Sequence, residues 1–346
     1  MINTEHLLET YVFDFPKELI ANQPANERTA SRLLNFAGQK IEHCIFSQFN
    51  TLIPPESLIV FNNTKVRKAR LYGHKKTGAR IECFLYEKTA ENTFKALSRP
   101  YKRLKNGDIL DFPDQQSGVV LEKLDDGIIL IQFPENPDIE GYIEKHGEMP
   151  LPPYIRDFHG DTGRYQTIYA CNTGASAAPT AGLHFDTEMI TRLQTAGHEL
   201  LNVTLHVGPG TFKPIETTDV RDYKIHSEYM EIDTETIQKL QKAKMEKRPI
   251  IAIGTTSLRA IESAWRHNRW TGAYQDFTRL YLYPGQKVES CDYLLTNFHL
   301  PASSLLVLIA TLIGVKNYRI IYPEAIREKY RFFSFGDCML LPNLSR

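Results

Sequence analysis

VVLEKLDDGIILIQF, residues 119–133, sets the texture of the region around it. Two runs of β-branched and apolar residues flank Asp125-Asp126-Gly127. An Asp-Gly pair between such runs signals a hairpin, because both residues tolerate the left-handed backbone of a tight turn. Working outward, RIECFLYE (80–87), TFKALSR (93–99) and DILDF (108–112) alternate or carry β-formers, and KNGD (105–108) reads as another turn. No helical period shows in most of this stretch. Residues 66–148 therefore read as a small all-β, barrel-like domain. SLIVFN (57–62) ahead of it reads as a buried strand. MPLPPYI (149–155) behind it, with Pro150, Pro152 and Pro153, reads as a stiff connector.

Beyond about residue 160 the texture changes. LLNVTLHV (200–207), IIAIG (250–254), FTRLYLY (277–283) and DYLLTNF (292–298) are strand-like. TEMITRLQTAG (187–197), TETIQKLQKAKMEK (234–247), SLRAIESAW (257–265) and the apolar run after Pro301 are helix-like. Asp186 and Asp233 precede two of these helices as N-caps. Strands alternating with helices make an α/β domain. The expected fold is thus a mixed α/β main domain, residues 1–65 and 149–346, with the small barrel-like domain 66–148 inserted into it.

Length and composition agree with a globular protein: 346 residues, 42% hydrophobic and 24% charged, enough for about two domains at roughly 100–200 residues each. The five cysteines have no C-x-x-C spacing, which excludes a zinc ribbon and a redox dithiol; no metal site is expected. The longest apolar run, SLLVLIATLIGV (304–315), is shorter than the roughly 20 residues of a membrane span and reads as a core helix. MINTEHLLETYVFDFP at the start lacks the basic and apolar regions of a signal peptide. The expectation is a reduced, cytoplasmic protein without membrane attachment. The formal net charge is zero, but the charge is segregated. Lys65 to Lys105 holds 13 lysines and arginines against three carboxylates, and Asp108 to Glu148 holds two against 11. Such a split creates a local field that the total hides.

Three histidines share one kind of context: His184 in APTAGLHFD, His206 in TLHVGPGTF and His299 in LLTNFHLPAS. Each lies between a strand and a helix start or on a glycine loop. Ligands of open α/β sheets bind at the carboxyl ends of strands, so the three converge if their loops share one edge. Taken singly, each is equally a polar residue with a structural partner. GTTSLRAIES (254–263) follows a strand; free N–H groups at its helix start suit an anion or carboxylate, while an ordinary N-cap also explains Thr255 or Thr256. GPGTFK (208–213) fails the dinucleotide pattern at Lys213, and GASAA (174–178) is a poor nucleophile elbow. RKARLYGHKKTGAR (67–80) and RPYKRLK (99–105) mix cations with Tyr72, His74 and Tyr101, which suits phosphates and unpaired bases. REKYRFFSFGD (327–337) is a second basic-aromatic run, and core packing explains its phenylalanines equally well.

FNNTKVRKARLYG, MPLPPYI, YQTIYA, AAPTAGLHF, TLHVGPGTF, HSEYMEI, AIGTTSLRAIES, LYPG, LLTNFHLP and EKYRFFSFGD occur in this order. Together they closely resemble the S-adenosylmethionine:tRNA ribosyltransferase-isomerase family of queuosine biosynthesis, from about Val12 to Met339. Lys68 stands where that family usually has proline, and Ser176 where it often has a small apolar residue. The resemblance implies an α/β domain joined to a β-barrel-like domain. It also implies that S-adenosylmethionine (AdoMet) is consumed as a ribosyl donor, with no further cofactor. The acceptor would be 7-aminomethyl-7-deazaguanine at the tRNA wobble position, and the products epoxyqueuosine-tRNA, adenine and methionine.

That chemistry calls for a base to abstract the C5′ hydrogen beside the sulfonium, and histidine suits it. His184 and His206 are the first candidates for the acid–base steps, with His299 and His226 after them. Thr180, Gly182, Gly208, Thr255, Thr256 and Ser257 are the expected AdoMet contacts. Arg67, Arg70, Lys75, Lys76, Arg80, Lys102, Arg103, Tyr330 and Arg331 are the expected tRNA contacts. A monomer is expected. The rival readings are a non-catalytic RNA-binding protein and an ordinary AdoMet-dependent tRNA methyltransferase.

Overall fold

The 119–133 hairpin forms as two antiparallel strands, Ser117–Lys123 and Ile128–Gln132, and it closes a barrel. The structure, a computed structural model, describes residues 4–134, 136–152, 154, 155, 158 and 160–346. Pro153 of the proline connector lies outside them. By contacts the chain divides into two units. One is Met1–Lys65, Pro153–Asn172 and Ala178–Arg346; the other is Val66–Pro152 with Thr173–Ala177.

In the second unit the strands run Ile128–Gln132, Thr93–Arg99, Arg80–Ala90, Arg70–Lys75, Ile109–Asp111 and Ser117–Lys123 around a closed barrel. Every pairing is antiparallel. Alternation sends Leu71, Ile81, Cys83, Phe94, Ala96, Val120, Ile129 and Ile131 inward. Closure removes the exposed edges that would otherwise pair with other chains. The unit is not all-β, however. Ile139–His146 is a helix, capped by Asp138, which accepts a hydrogen bond from Gly141 N at 2.9 Å. Its Ile139 and Ile143 join the barrel core. Their i,i+4 spacing behind an aspartate cap is a helix signal, but a faint one, because only eight residues carry it.

In the first unit, nine strands among the described residues form one sheet. Their order is Tyr274–Thr278, Glu228–Ile232, Glu199–Leu205, Leu58–Asn62, Ile250–Ile253, Tyr293–Asn297, Cys338–Pro342, Arg32–Ala37 and Lys40–Ile45. The four central strands, Glu199–Leu205 to Tyr293–Asn297, are mutually parallel. Leu58–Asn62 and Ile250–Ile253 are buried along their whole length, as strands covered on both faces must be. The mixed α/β class with a separate barrel is therefore what the protein adopts.

Asp186 and Asp233 cap helices Thr187–Thr195 and Thr234–Met245, accepting from Met189 N and Thr236 N at 2.7 Å each. The apolar run forms the buried helix Ser304–Ile313, which meets Val315–Arg327 at 118°. Among the described residues no single helix is long and apolar enough to cross a membrane. FTRLYLY is not a strand throughout. The strand Tyr274–Thr278 stops early because the Thr278 hydroxyl accepts Leu280 N at 3.0 Å and bonds Ser263 at 2.6 Å, turning the chain.

Candidate active site

The parallel order puts the carboxyl ends of four strands side by side. Asn62-Asn63-Thr64 follows the first strand in sequence, His206-Val207-Gly208 the second, Gly254–Ser257 the third and Phe298-His299 the fourth. The loops singled out in the sequence therefore do share one edge.

Asn62 fastens two of them. Its Oδ1 accepts Leu205 N at 3.0 Å and Thr64 N at 3.1 Å, and its Nδ2 donates to Leu205 O at 2.9 Å. Thr64 then hydrogen-bonds His206 Nδ1 at 2.7 Å. The imidazole stacks on Tyr229 with centroids 5.4 Å apart. Backbone, hydroxyl and ring thus fix its orientation, and Nε2 has no partner among the described residues. Burial lowers the His206 pKa from its usual value, against a smaller opposing pull from Glu231. The ring is neutral at pH 7 and able to accept a proton.

The loop after His206 is pinned from below. Glu228, buried, accepts Gly208 N at 2.9 Å and forms an ion pair with Arg259, also buried. Arg259 further donates to Leu280 O at 3.1 Å. Gly210 is a glycine because a Cβ there would overlap the ring of the exposed His226. His226 thus lies against the Gly-Pro-Gly loop.

The helix Gly254–Asn268 starts directly from its strand, with Gly254 at φ 85 and no side-chain cap. The first-turn N–H groups of any helix lack intrahelical partners. Thr255 and Thr256 are not the cap that the sequence allowed. Ser257 Oγ donates back to Ile253 O at 2.7 Å, while the buried Thr256 Oγ1 has no partner among the described residues. A donor-rich helix start with an unsatisfied hydroxyl fits a carboxylate.

His184 and His299 are of a different kind. His184 ends the 3₁₀ turn Thr180–His184, and its Nε2 lies 3.1 Å from Asn297 Nδ2. Asn297 Oδ1 accepts Thr180 Oγ1 at 2.9 Å, so the amide nitrogen donates to the imidazole and occupies its lone pair. Burial, with Arg331 and Arg28 adding like-charge repulsion, pushes the His184 pKa down to about 3. Below it, Phe185 packs among Phe46, Phe49 and Phe61 at 4.9–5.6 Å. His299 is buried, bonded to Thr296 Oγ1 at 2.9 Å, and burial pushes its pKa down to about 3 as well. Neither ring is placed to take a proton at neutral pH. Gly182 faces no ligand: its Cα fits against the Tyr169 hydroxyl and Thr167, which an added Cβ would overlap.

The basic residues of the barrel divide in two. Arg67 pairs with Glu140, Arg70 with Glu82 at 3.4 Å, and Lys75 with Asp108 at 2.7 Å. Lys76, Arg80, Lys102 and Arg103 are exposed and form no ion pair among the described residues. Near the C-terminus Tyr330 is fully buried, bonded to His43 at 2.8 Å. It offers no face to RNA. Arg331 is 3.3 Å from the buried Asp337. Among the described residues no group of three or more His, Cys, Asp or Glu could hold a metal. Asn62, Thr64, Glu228, Arg259 and Asn297 went unnoticed in the sequence as site residues. All five nevertheless lie in quoted motifs: Asn62 and Thr64 in FNNTKVRKARLYG, Asn297 in LLTNFHLP, Glu228 in HSEYMEI and Arg259 in AIGTTSLRAIES.

The family model for queuosine biosynthesis proteins matches residues 8–341. An S-adenosylmethionine:tRNA ribosyltransferase-isomerase of Halothermothrix orenii is 41% identical over 338 residues, 96% of this chain and 99% of that protein. The enzyme of the same name from Clostridioides difficile is 41% identical over 335 residues, 96% and 98% of the two. A crystal structure of S-adenosylmethionine tRNA ribosyltransferase from Thermotoga maritima aligns with a TM-score of 0.54 at 33% identity, over 96% of this chain and 99% of that one.

Proposed function

The chain belongs to the queuosine biosynthesis protein family, and on that footing we propose that it transfers and isomerises the ribosyl group of AdoMet onto tRNA. The acceptor is 7-aminomethyl-7-deazaguanine at the wobble position, and the products are epoxyqueuosine-tRNA, adenine and methionine. The observation that carries this reading is the match across nearly the whole chain, with four of its motif loops at the carboxyl ends of the parallel central strands.

AdoMet supplies an acidified C5′–H beside its sulfonium and an adenine that departs. His206 is the general base: it is neutral, held by Thr64 and Tyr229, and its Nε2 is unengaged among the described residues. The Gly254–Ser257 helix start and the Thr256 hydroxyl receive the methionine carboxylate, in keeping with that unsatisfied donor. Gly208, pinned through Glu228 and Arg259, keeps the loop beside His206 fixed. His226 borders the same loop. Asn297 holds His184 and Thr180 in place, a positioning role for both. The barrel's exposed Lys76, Arg80, Lys102 and Arg103 meet tRNA phosphates. Five free thiols support a reducing, cytoplasmic setting, and the protein works there as a monomer.

The test is incubation with AdoMet and tRNA carrying the aminomethyl base, following adenine release and the mass of the base. Adenine plus an added epoxycyclopentanediol supports ribosyl transfer. S-adenosylhomocysteine would mean methyl transfer instead, and binding without turnover a non-catalytic RNA-binding protein.

A further inference from the structure

Tyr72, Glu82 and Arg99 stand abreast on three neighbouring barrel strands. Tyr72 is directly opposite Glu82, and Glu82 directly opposite Arg99. Opposite residues of antiparallel neighbours share a face. Strands lie about 4.8 Å apart, so ring, carboxylate and guanidinium form a row roughly 10 Å long. Leu71, Ile81 and Cys83 point into the core, so this row faces outward. Arg80 lays its guanidinium carbon 4.1 Å from the Tyr72 ring centroid. With Pro100, these side chains line an open cleft of about 550 Å³, within the usual size of small-ligand sites, about 300–1,000 Å³.

The partners already engaged narrow what the cleft can take. Glu82 meets Arg70 through Oε1 at 3.4 Å, and its other oxygen has no partner among the described residues. Arg99 is exposed and forms no ion pair or side-chain hydrogen bond among them, although a carboxylate is its cross-strand neighbour. A surface that bound phosphates alone would gain nothing from a carboxylate at its centre, because the two anions repel. An aromatic ring stacked with a guanidinium, beside one acceptor and one free cation, matches the parts of a nucleotide. The base stacks on the Tyr72–Arg80 pair, an exocyclic amino group donates to Glu82, and the phosphate meets Arg99.

We propose that this row is a subsite for one unpaired nucleotide of the RNA substrate, and that it selects a base bearing an amino group over uracil. The inference rests on the barrel's role in tRNA binding and adds a base contact to it.

The experiment measures tRNA affinity of the full-length protein across a salt series, with AdoMet binding as control. Tyr72→Leu should weaken tRNA binding roughly 5- to 150-fold, the range for loss of one stacked base, and leave the salt slope unchanged. Tyr72→Phe should bind as the wild type does, which separates stacking from misfolding. Arg99→Gln should lower the salt slope by about one. Glu82→Gln should erase the loss of affinity caused by uridine substitution at one loop position and at no other. AdoMet affinity should stay constant throughout. If Lys76→Glu and Lys102→Glu weaken tRNA binding while Tyr72→Leu, Arg99→Gln and Glu82→Gln do not, the subsite is wrong and the barrel's role stands. If Lys76→Glu and Lys102→Glu also leave affinity unchanged, the barrel's role falls and the subsite with it.

Discussion

Gly182 and His206 lie among the motifs recognised in the sequence, yet their environments assign them different work. The Cα of Gly182 sits where the buried Tyr169 hydroxyl leaves no room for a methyl group. Gly182→Ala should therefore destabilise the protein by about 1–3 kcal/mol, as overpacking does. Adding Tyr169→Phe removes the nearest atom and should restore part of the loss; Thr167 still crowds the site, so recovery is incomplete. Melting temperatures of the single and double variants check this. For His206 the expectation concerns rate. His206→Ala should lower kcat by about 10²–10⁴-fold, the usual contribution of a general base, with AdoMet and tRNA affinities kept. Wild-type turnover in a folded, substrate-binding His206→Ala protein would remove it from the mechanism. The sequence puts His184 and His206 level as first candidates and cannot separate them. Partial burial, a ring nitrogen without a partner among the described residues and an orienting Thr64 142 residues away are properties of the folded chain.

At the scale of elements, legibility followed local chemistry. The Asp186 and Asp233 caps, the Asp-Gly hairpin and the apolar helix were readable because each signal lies within a few residues. The helix Ile139–His146 is too short to show a period in the sequence, and FTRLYLY reads as a longer strand than it forms because the Ser263–Thr278 bond that ends it is not local. The start of helix Gly254–Asn268 shows the same limit: its sequence suits an anion site and an ordinary N-cap equally, and the fold gives it no side-chain cap. Its Thr256 hydroxyl is buried without a partner among the described residues, a state that costs stability unless a ligand relieves it. Thr256→Val keeps the shape and removes that hydroxyl. The melting temperature of the free protein should hold or rise, while AdoMet affinity falls about 10-fold or more, the value of a hydrogen bond to a charged group. A thermal melt reads the first and calorimetric titration with AdoMet the second; unchanged affinity would take Thr256 out of the site. Arg259→Met tests the element beneath. It leaves Glu228 buried without its cation and should cost about 3–5 kcal/mol, seen as an earlier urea midpoint.

For the whole molecule, the segregated charge of the sequence becomes an internal pairing. The acidic half of the barrel supplies Asp108, Glu140 and Glu144 to Lys75, Arg67 and Lys68, and this neutralises part of the basic half. A sequence count cannot tell the paired cations from the free ones. A second global property follows from the buried histidines. His184 and His299 have pKa values near 3 in the fold, against about 6.5 in an unfolded chain. Between those values the unfolded state binds a proton at each site and the folded state does not, so stability is full above about pH 6.5 and declines as pH falls toward 3. Each site contributes about 1.4 kcal/mol per pH unit, so the pair removes about 4 kcal/mol by pH 5. That is a large share of a typical 5–15 kcal/mol. His198 and His206, whose pKa values burial also lowers, act in the same direction. Carboxylates with lowered pKa, such as Asp219 at about 2, lose their contribution only as pH falls below about 4, so the interval from pH 7 to 5 isolates the histidines. Urea midpoints at pH 7, 6 and 5 should fall steadily for the wild type. His299→Gln, which cannot take up the proton in either state, should be less stable at pH 7 but lose less per pH unit, by about one proton's worth. Parallel declines for the two proteins would show that His299 is not held neutral in the fold.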